Sequence, residues 1–87
     1  MLKPISGSGV PRVYLQFGAF SASQSATALV ERINRQTREV EYRDAYIEPA
    51  NDLFRVQIGP YETRTEAINA ALRIEQETGL QASLAVR

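Results

Sequence analysis

The chain has no histidine and no cysteine. Without histidine it lacks the commonest metal ligand and the usual general base near neutral pH. Without cysteine it has no thiol nucleophile and no disulfide, and the redox compartment cannot be read. Net charge is also missing, since ten basic residues balance ten acidic ones. A neutral chain carries no global electrostatic footprint for nucleic acid or anionic lipid. No apolar run approaches the roughly 20 residues of a membrane span.

What is present suits one small globular domain. At 87 residues the chain fits one domain and hardly two. A domain of this size buries only a little over half of its unfolded surface, so its core is thin. Hydrophobic residues make up 44% of the chain, too many for a disordered segment. Residues 1–11 are rich in Ser, Gly and Pro and read as a linker or leader. They lack the apolar stretch of a signal peptide. The folded domain is expected over residues 12–87.

Val13 to Gly18 alternates and is rich in aromatic and β-branched residues, which predicts a strand. Ser21 to Ser25 supplies capping residues. Ala26, Leu29, Val30 and Ile33 then form one helical stripe. Glu39 to Ile47 has strand composition and stops before Pro49, and Pro49 to Asp52 reads as a hairpin turn. Leu53 to Gly59 is a second clear strand. Thr63 to Glu66 fits a capping box before the stripe Ala67, Ala70, Ala71 and Ile74, and Gly79 sits where a left-handed helix terminus belongs. Gln81 to Val86 alternates as a last strand.

The two halves repeat. Leu15 to Phe20 (LQFGAF) aligns with Val56 to Tyr61 (VQIGPY), and the same offset carries Ala26, Leu29, Val30 and Ile33 onto Ala67, Ala70, Ala71 and Ile74. A strand motif and a helix stripe repeating in phase predict two βαβ halves. The fold class expected is α+β: a ferredoxin-like (RNP-like) β-α-β-β-α-β chain forming a four-stranded antiparallel sheet with two helices on one face. The two motif-bearing strands are its central pair.

Parity then sorts the side chains. Val13, Leu15 and Phe17 share one face of the first strand with Phe54, Val56 and Ile58 of the third, under the helices. Tyr14, Gln16 and Gly18 share the other face with Leu53, Arg55, Gln57 and Gly59, where no second layer is expected. Two amides, a guanidinium fork, flat apolar surface and two glycines suit a neutral or mildly anionic polyhydroxylated ligand carrying amides. The glycines fit two roles equally, letting a ligand approach the backbone or ending strands and permitting bulges.

LQFGAF with Ala26 and Leu29, and FRVQIGPY with Ala67, resemble the two halves of the SPOR-domain signature over about residues 13–86. The resemblance implies a module of the bacterial envelope, periplasmic, whose parent protein is anchored to the outer membrane. It also implies binding, through the helix-free sheet face, to peptidoglycan glycan strands stripped of stem peptides. That binding places the parent at the septum or cell wall. The expected site is Tyr14, Gln16, Gly18, Phe20, Leu53, Arg55, Gln57 and Gly59. Phe20 joins it from the end of its motif, although packing against a helix start is its plainer role. Arg55 matches the free lactyl carboxylate of a stripped muramyl residue, and its plainer role is a cross-strand ion pair.

The remaining expectations are largely negative ones. No catalytic residue, metal or cofactor is expected, nor membrane insertion by this domain, and the domain is expected to be a monomer. Glu39, Glu41, Asp44, Glu48 and Asp52 gather around the β-hairpin. Glycoside hydrolysis needs two carboxylates at a set separation, one with a raised pKa, and exposed acids give no reason for such a shift. They read as solvated. An RRM-like domain binding single-stranded RNA shares this topology, but its signature puts basic and aromatic residues where Leu53, Arg55, Gln57 and Gly59 stand. A protein-interaction module using the same face is the other alternative. Tyr42 and Tyr46 stay unassigned, because Val40 and Tyr42 conflict in parity with Ala45 and Ile47.

Overall fold

A computed structural model of the chain describes residues 12–86. The linker or leader expected over 1–11 lies outside the described residues. Six elements occur in order: β1 (Val13–Phe20), α1 (Ser23–Thr37), β2 (Tyr46–Ala50), β3 (Leu53–Tyr61), α2 (Arg64–Thr78) and β4 (Ser83–Val86). The strands form one sheet in the order β2-β3-β1-β4, with every neighbouring pair antiparallel. This is the expected arrangement, with the two motif strands at its centre.

The core is thin and lies on one face. Val13, Leu15, Val56 and Ile58 of the sheet meet Ala26 and Ile33 of α1 and Ala67, Ala70 and Ile74 of α2. Burying one Ile or Leu side chain stabilises the fold by about 1.5–3 kcal/mol, so each of these matters in a small domain. The alanines let the helices sit close to the sheet. Helix α2 starts as predicted: Thr63 Oγ1 accepts the backbone N–H of Glu66 at 3.0 Å. The Glu66 carboxylate turns back to the N–H of Glu62 at 3.1 Å, one residue earlier than a reciprocal box would place it. Gly79 ends α2 at φ 75°, donating to the Glu75 carbonyl at 2.7 Å. At the start of α1, Ala22 holds the cap position without a side-chain hydrogen bond.

The duplication reaches further than the motifs that revealed it. Thr37 and Thr78 each close their helix by donating to the carbonyl four residues back, both at 2.8 Å. Arg32 of α1 donates to the carbonyl of Thr78 at the end of α2, at 2.8 Å. Its counterpart Arg73 of α2 reaches the carbonyl of Val40 just past α1, at 3.2 Å. Arg32 thus caps the C-terminal end of α2, where the helix dipole favours positive charge, and Arg73 pins the chain just past α1.

Three expectations need correction. First, β2 begins at Tyr46, not Glu39, and runs through Pro49 to Ala50. A proline is tolerated there because β2 is an edge strand. The hairpin turn is centred on Asn51 and Asp52, both at positive φ, as a two-residue turn requires. Asn34 of α1 holds the chain just ahead of β2, since its amide both accepts from the Ala45 N–H (2.7 Å) and donates to the Ala45 carbonyl (3.3 Å). Second, β4 starts at Ser83 rather than Gln81.

Third, Glu41 is not a solvated acid. Its side chain is fully buried. It accepts from the Tyr61 hydroxyl at 2.9 Å, from Arg73 Nη2 at 3.3 Å and from the backbone N–H of Arg43 at 3.2 Å. Arg43 lies over the rings of Tyr42 and Tyr61, 4.5 and 4.4 Å from their centroids, and donates to the Pro60 carbonyl at 3.0 Å. Burial and the adjacent Glu41 carboxylate push the Tyr61 phenol well above its ordinary pKa. This cluster ties the α1–β2 connection to α2 and to the end of β3.

Candidate functional site: the helix-free sheet face

Register decides which side chains share the face away from the helices. Leu15 pairs with Ile58, and both are fully buried in the core. One residue further along, Gln16 pairs with Gln57, so both point to the opposite side. Their side chains meet there, with Gln57 Nε2 donating to Gln16 Oε1 at 3.0 Å. The Tyr46 hydroxyl comes within 3.5 Å of Gln57 Oε1. Tyr46 pairs with Gln57 across the β2–β3 ladder and Glu48 pairs with Arg55, which puts Tyr46 and Glu48 on this face as well. Ile47, between them, packs on the core. On the far side Ser83 and Ala85 of β4 pair with Gln16 and Tyr14.

The two amides are not equivalent. Gln57 is only 2% exposed, while Gln16 is half-buried. Gln57 therefore acts mainly as a support. It donates to the carbonyl oxygen of Gln16, and the half-buried Gln16 is the amide the face presents. Arg55 is half-buried, and its Nε is buried without a hydrogen-bond partner among the described residues. A guanidinium nitrogen in that state is unusual, because buried donors are nearly always paired. Leu53 continues the same side of β3 next to the turn.

The glycines and Phe20 are placed differently from the expectation. Between Gln16 and Gly18 the β1–β3 register shifts, so Phe17 is an extra residue on β1. A bulge of this kind flips the parity of the strand beyond it. Gly18 consequently pairs with the buried Val56, and a Cβ built on it would meet the Phe20 ring at 3.1 Å and Leu29 of α1 at 3.7 Å. It lies on the helix side and is not part of the helix-free face. Phe20 pairs with Phe54, and both rings pack on the core, so Phe20 is also on the helix side. A compensating extra residue in β3, at Gly59 and Pro60 opposite Tyr14, restores the phase. Gly59 does face away from the helices, but Tyr14 covers it. A Cβ there would stand 2.8 Å from Tyr14 Cδ2 and 3.2 Å from Tyr14 Cα, at a φ of 153° that L side chains rarely adopt. The glycine seats the tyrosine and does not open the backbone to a ligand.

The face is therefore built from Tyr14, Gln16, Leu53, Arg55 and Gln57 of the expected set, with Gly59 beneath Tyr14. Tyr46, Glu48 and Ser83 were missed. The signal for Tyr46 and Glu48 was the parity conflict itself. Val40 and Tyr42 disagree with Ala45 and Ile47 because the strand has not begun. Tyr42 is highly exposed, outside any strand. Among the described residues no cluster of three or more His, Cys, Asp or Glu is placed to hold a metal, and no helix is long and apolar enough to cross a membrane.

Solved structures share this architecture, although no curated protein matches the chain. The peptidoglycan binding domain of the B. subtilis cell wall lytic enzyme CwlC is similar at a TM-score of 0.72 and 25% identity, covering 99% of each chain. The RlpA SPOR domain from Pseudomonas aeruginosa is similar at a TM-score of 0.61 and 25% identity, covering 84% of this chain and 96% of that one. The SPOR domain family matches residues 9–85, and with most of its length so matched the chain belongs to the SPOR domain family.

Proposed function

We propose that this domain is a non-catalytic module that binds peptidoglycan, and that it does so on the helix-free face by gripping glycan strands stripped of their stem peptides. Family membership and the likeness to a peptidoglycan binding domain support the coarser part. The finer part rests on one observation. The half-buried guanidinium side chain of Arg55 lies on the face that also carries Tyr14, Tyr46 and the supported amide of Gln16. A free lactyl carboxylate, present only where the stem peptide has been removed, is a matching partner for the part of this half-buried guanidinium that stays accessible. In a peptide-bearing strand that carboxylate is an amide, which offers a guanidinium a weaker partner and brings bulk to the face. Gln16 Nε2 donates to sugar oxygens, and the tyrosine rings supply flat apolar surface for pyranose faces. The parent protein is thereby drawn to septal or other cell-wall regions of the bacterial envelope where stripped strands accumulate, from a periplasmic position anchored to the outer membrane.

Sedimentation with purified sacculi tests the proposal. The domain should pellet with sacculi whose stem peptides an amidase has removed and remain largely in solution with untreated ones. Equal pelleting with both refutes the stripped-strand preference. Pelleting with neither refutes the function.

A further inference from the structure

A cleft opens beside Gln16, at the β4 edge of the face. Strand β4 pairs with β1 only as far as Ser83 opposite Gln16. Past that point β1 runs on to Phe20, while Gln81 and Ala82 do not continue the ladder. The cause is the extra residue Phe17, which breaks the phase that a continued β4 would need. The splayed strands leave an open cleft of about 330 Å³ lined by Gln16, Phe17, Gly18, Gln81, Ala82 and Ser83. That volume is at the lower limit of small-ligand sites and suits part of one sugar rather than a whole oligosaccharide.

The walls define the chemistry. One side is the β1 edge beyond Gln16, where a strand has backbone donors and acceptors and no β4 ladder to use them. Gln16 lines the cleft, and Ser83 donates to the Gln16 carbonyl at 3.4 Å. Small residues, Gly18, Ala82 and Ser83, leave room between the walls. The lining holds no ionisable side chain, so a charged group gains nothing there. A neutral planar amide, with one donor, one acceptor and a methyl group, matches a strand edge because it is the group a strand edge normally pairs with. We infer that this cleft is an acetamido subsite that takes the N-acetyl group of one amino sugar of the bound strand. This rests on the glycan-binding reading above. It adds that the domain recognises N-acetylation as well as the lactyl carboxylate. Arg55 of β3, opposite Ala19, and the cleft on the β4 side of β1 flank β1 just past the Gln16–Gln57 pair, so the two contacts fix how the disaccharide repeat is seated.

The test compares stripped glycan strands before and after N-deacetylation. Binding is measured by calorimetry in about 1 M salt, which screens the new ammonium groups to a few ångströms. The parent domain should lose about tenfold or more in affinity on deacetylation, the size of one hydrogen-bonded group left unpaired. Gln81→Phe and Ser83→Phe, at exposed rim positions, should block the cleft and bind acetylated strands about as weakly as deacetylated ones. Thermal melts confirm that each variant is folded. The subsite is refuted if the parent binds both glycans equally, or if folded rim variants keep the parent's discrimination. A parent that binds neither glycan refutes the glycan-binding reading itself, which separates the two failures.

Discussion

Tyr61→Phe removes one oxygen from the buried cluster and leaves the ring and its stacking with Arg43 in place. The hydroxyl donates at 2.9 Å to the carboxylate of Glu41, whose side chain is fully buried. Its loss leaves Glu41 with Arg73, the backbone N–H of Arg43 and the more distant Arg43 guanidinium at 4.0 Å. Arg73 is half-exposed, so its help is weakened by solvent. A hydrogen bond to a charged acceptor contributes about 1.5–3 kcal/mol. In a domain of this size that range corresponds to a fall in Tm of roughly 6–24 °C. Denaturant melts of parent and variant, with the m-value checked for constancy, measure the difference. Because Tyr61 lies on the helix side, glycan binding by the folded variant should equal that of the parent. A stability change under about 0.5 kcal/mol, the level of an ordinary surface substitution, would refute the view that this hydroxyl holds a buried charge.

Other predictions concern pH, the face and its supports. The Tyr61 phenol is raised in the folded state, so its contribution to stability is complete below the ordinary tyrosine pKa of 10.0 and is lost as pH climbs above it. Ultraviolet titration should show a late-ionising tyrosine component that vanishes in Tyr61→Phe. Arg55→Ala should bind stripped glycan about 1–3 kcal/mol more weakly at an unchanged Tm, since it deletes the guanidinium that faces the lactyl carboxylate; Arg55→Lys should recover only part, lacking the planar fork. Equal binding by Arg55→Ala would remove Arg55 from the site. Gly59→Ala should cost about 1–3 kcal/mol of stability by driving a methyl group into Tyr14, and a neutral result would mean that Tyr14 moves aside freely. Binding by the parent should fall only modestly between low and physiological salt, because one guanidinium is engaged; complete loss would point to a nucleic-acid-like mode.

The topology was legible because the duplication is written twice, in strand and in helix, with the same offset. Its deeper members, Arg32 with Arg73 and Thr37 with Thr78, have no motif character and become visible only as reciprocal hydrogen bonds. Strict alternation placed Tyr14, Gln16, Arg55 and Gln57 correctly but failed for Gly18 and Phe20. Gly18 in VYLQFGAF permits a bulge but does not place the extra residue at Phe17, since that depends on how β1 pairs with β3. The burial of Gln57 depends on neighbours from three strands and is invisible one residue at a time. It also bears on mutagenesis. Gln16→Ala strands the Gln57 donor, so any loss of binding would be mixed with a loss of stability. Arg55 is the cleaner probe for that reason. Glu41 was misread because the strand was begun too early, which turned a buried anchor into one of a row of exposed acids.

The central claim is that a stripped glycan strand lies on the helix-free face. Titrating stripped glycan strands into ¹⁵N-labelled domain tests it directly. Amide and side-chain shifts should change for Tyr14, Gln16, Tyr46, Arg55 and Ser83, with the largest side-chain effects at Gln16 and Arg55, and residues facing outward on α1 and α2 should stay still. Shifts confined to the helices, or to the Tyr42–Arg43 segment, would contradict the account.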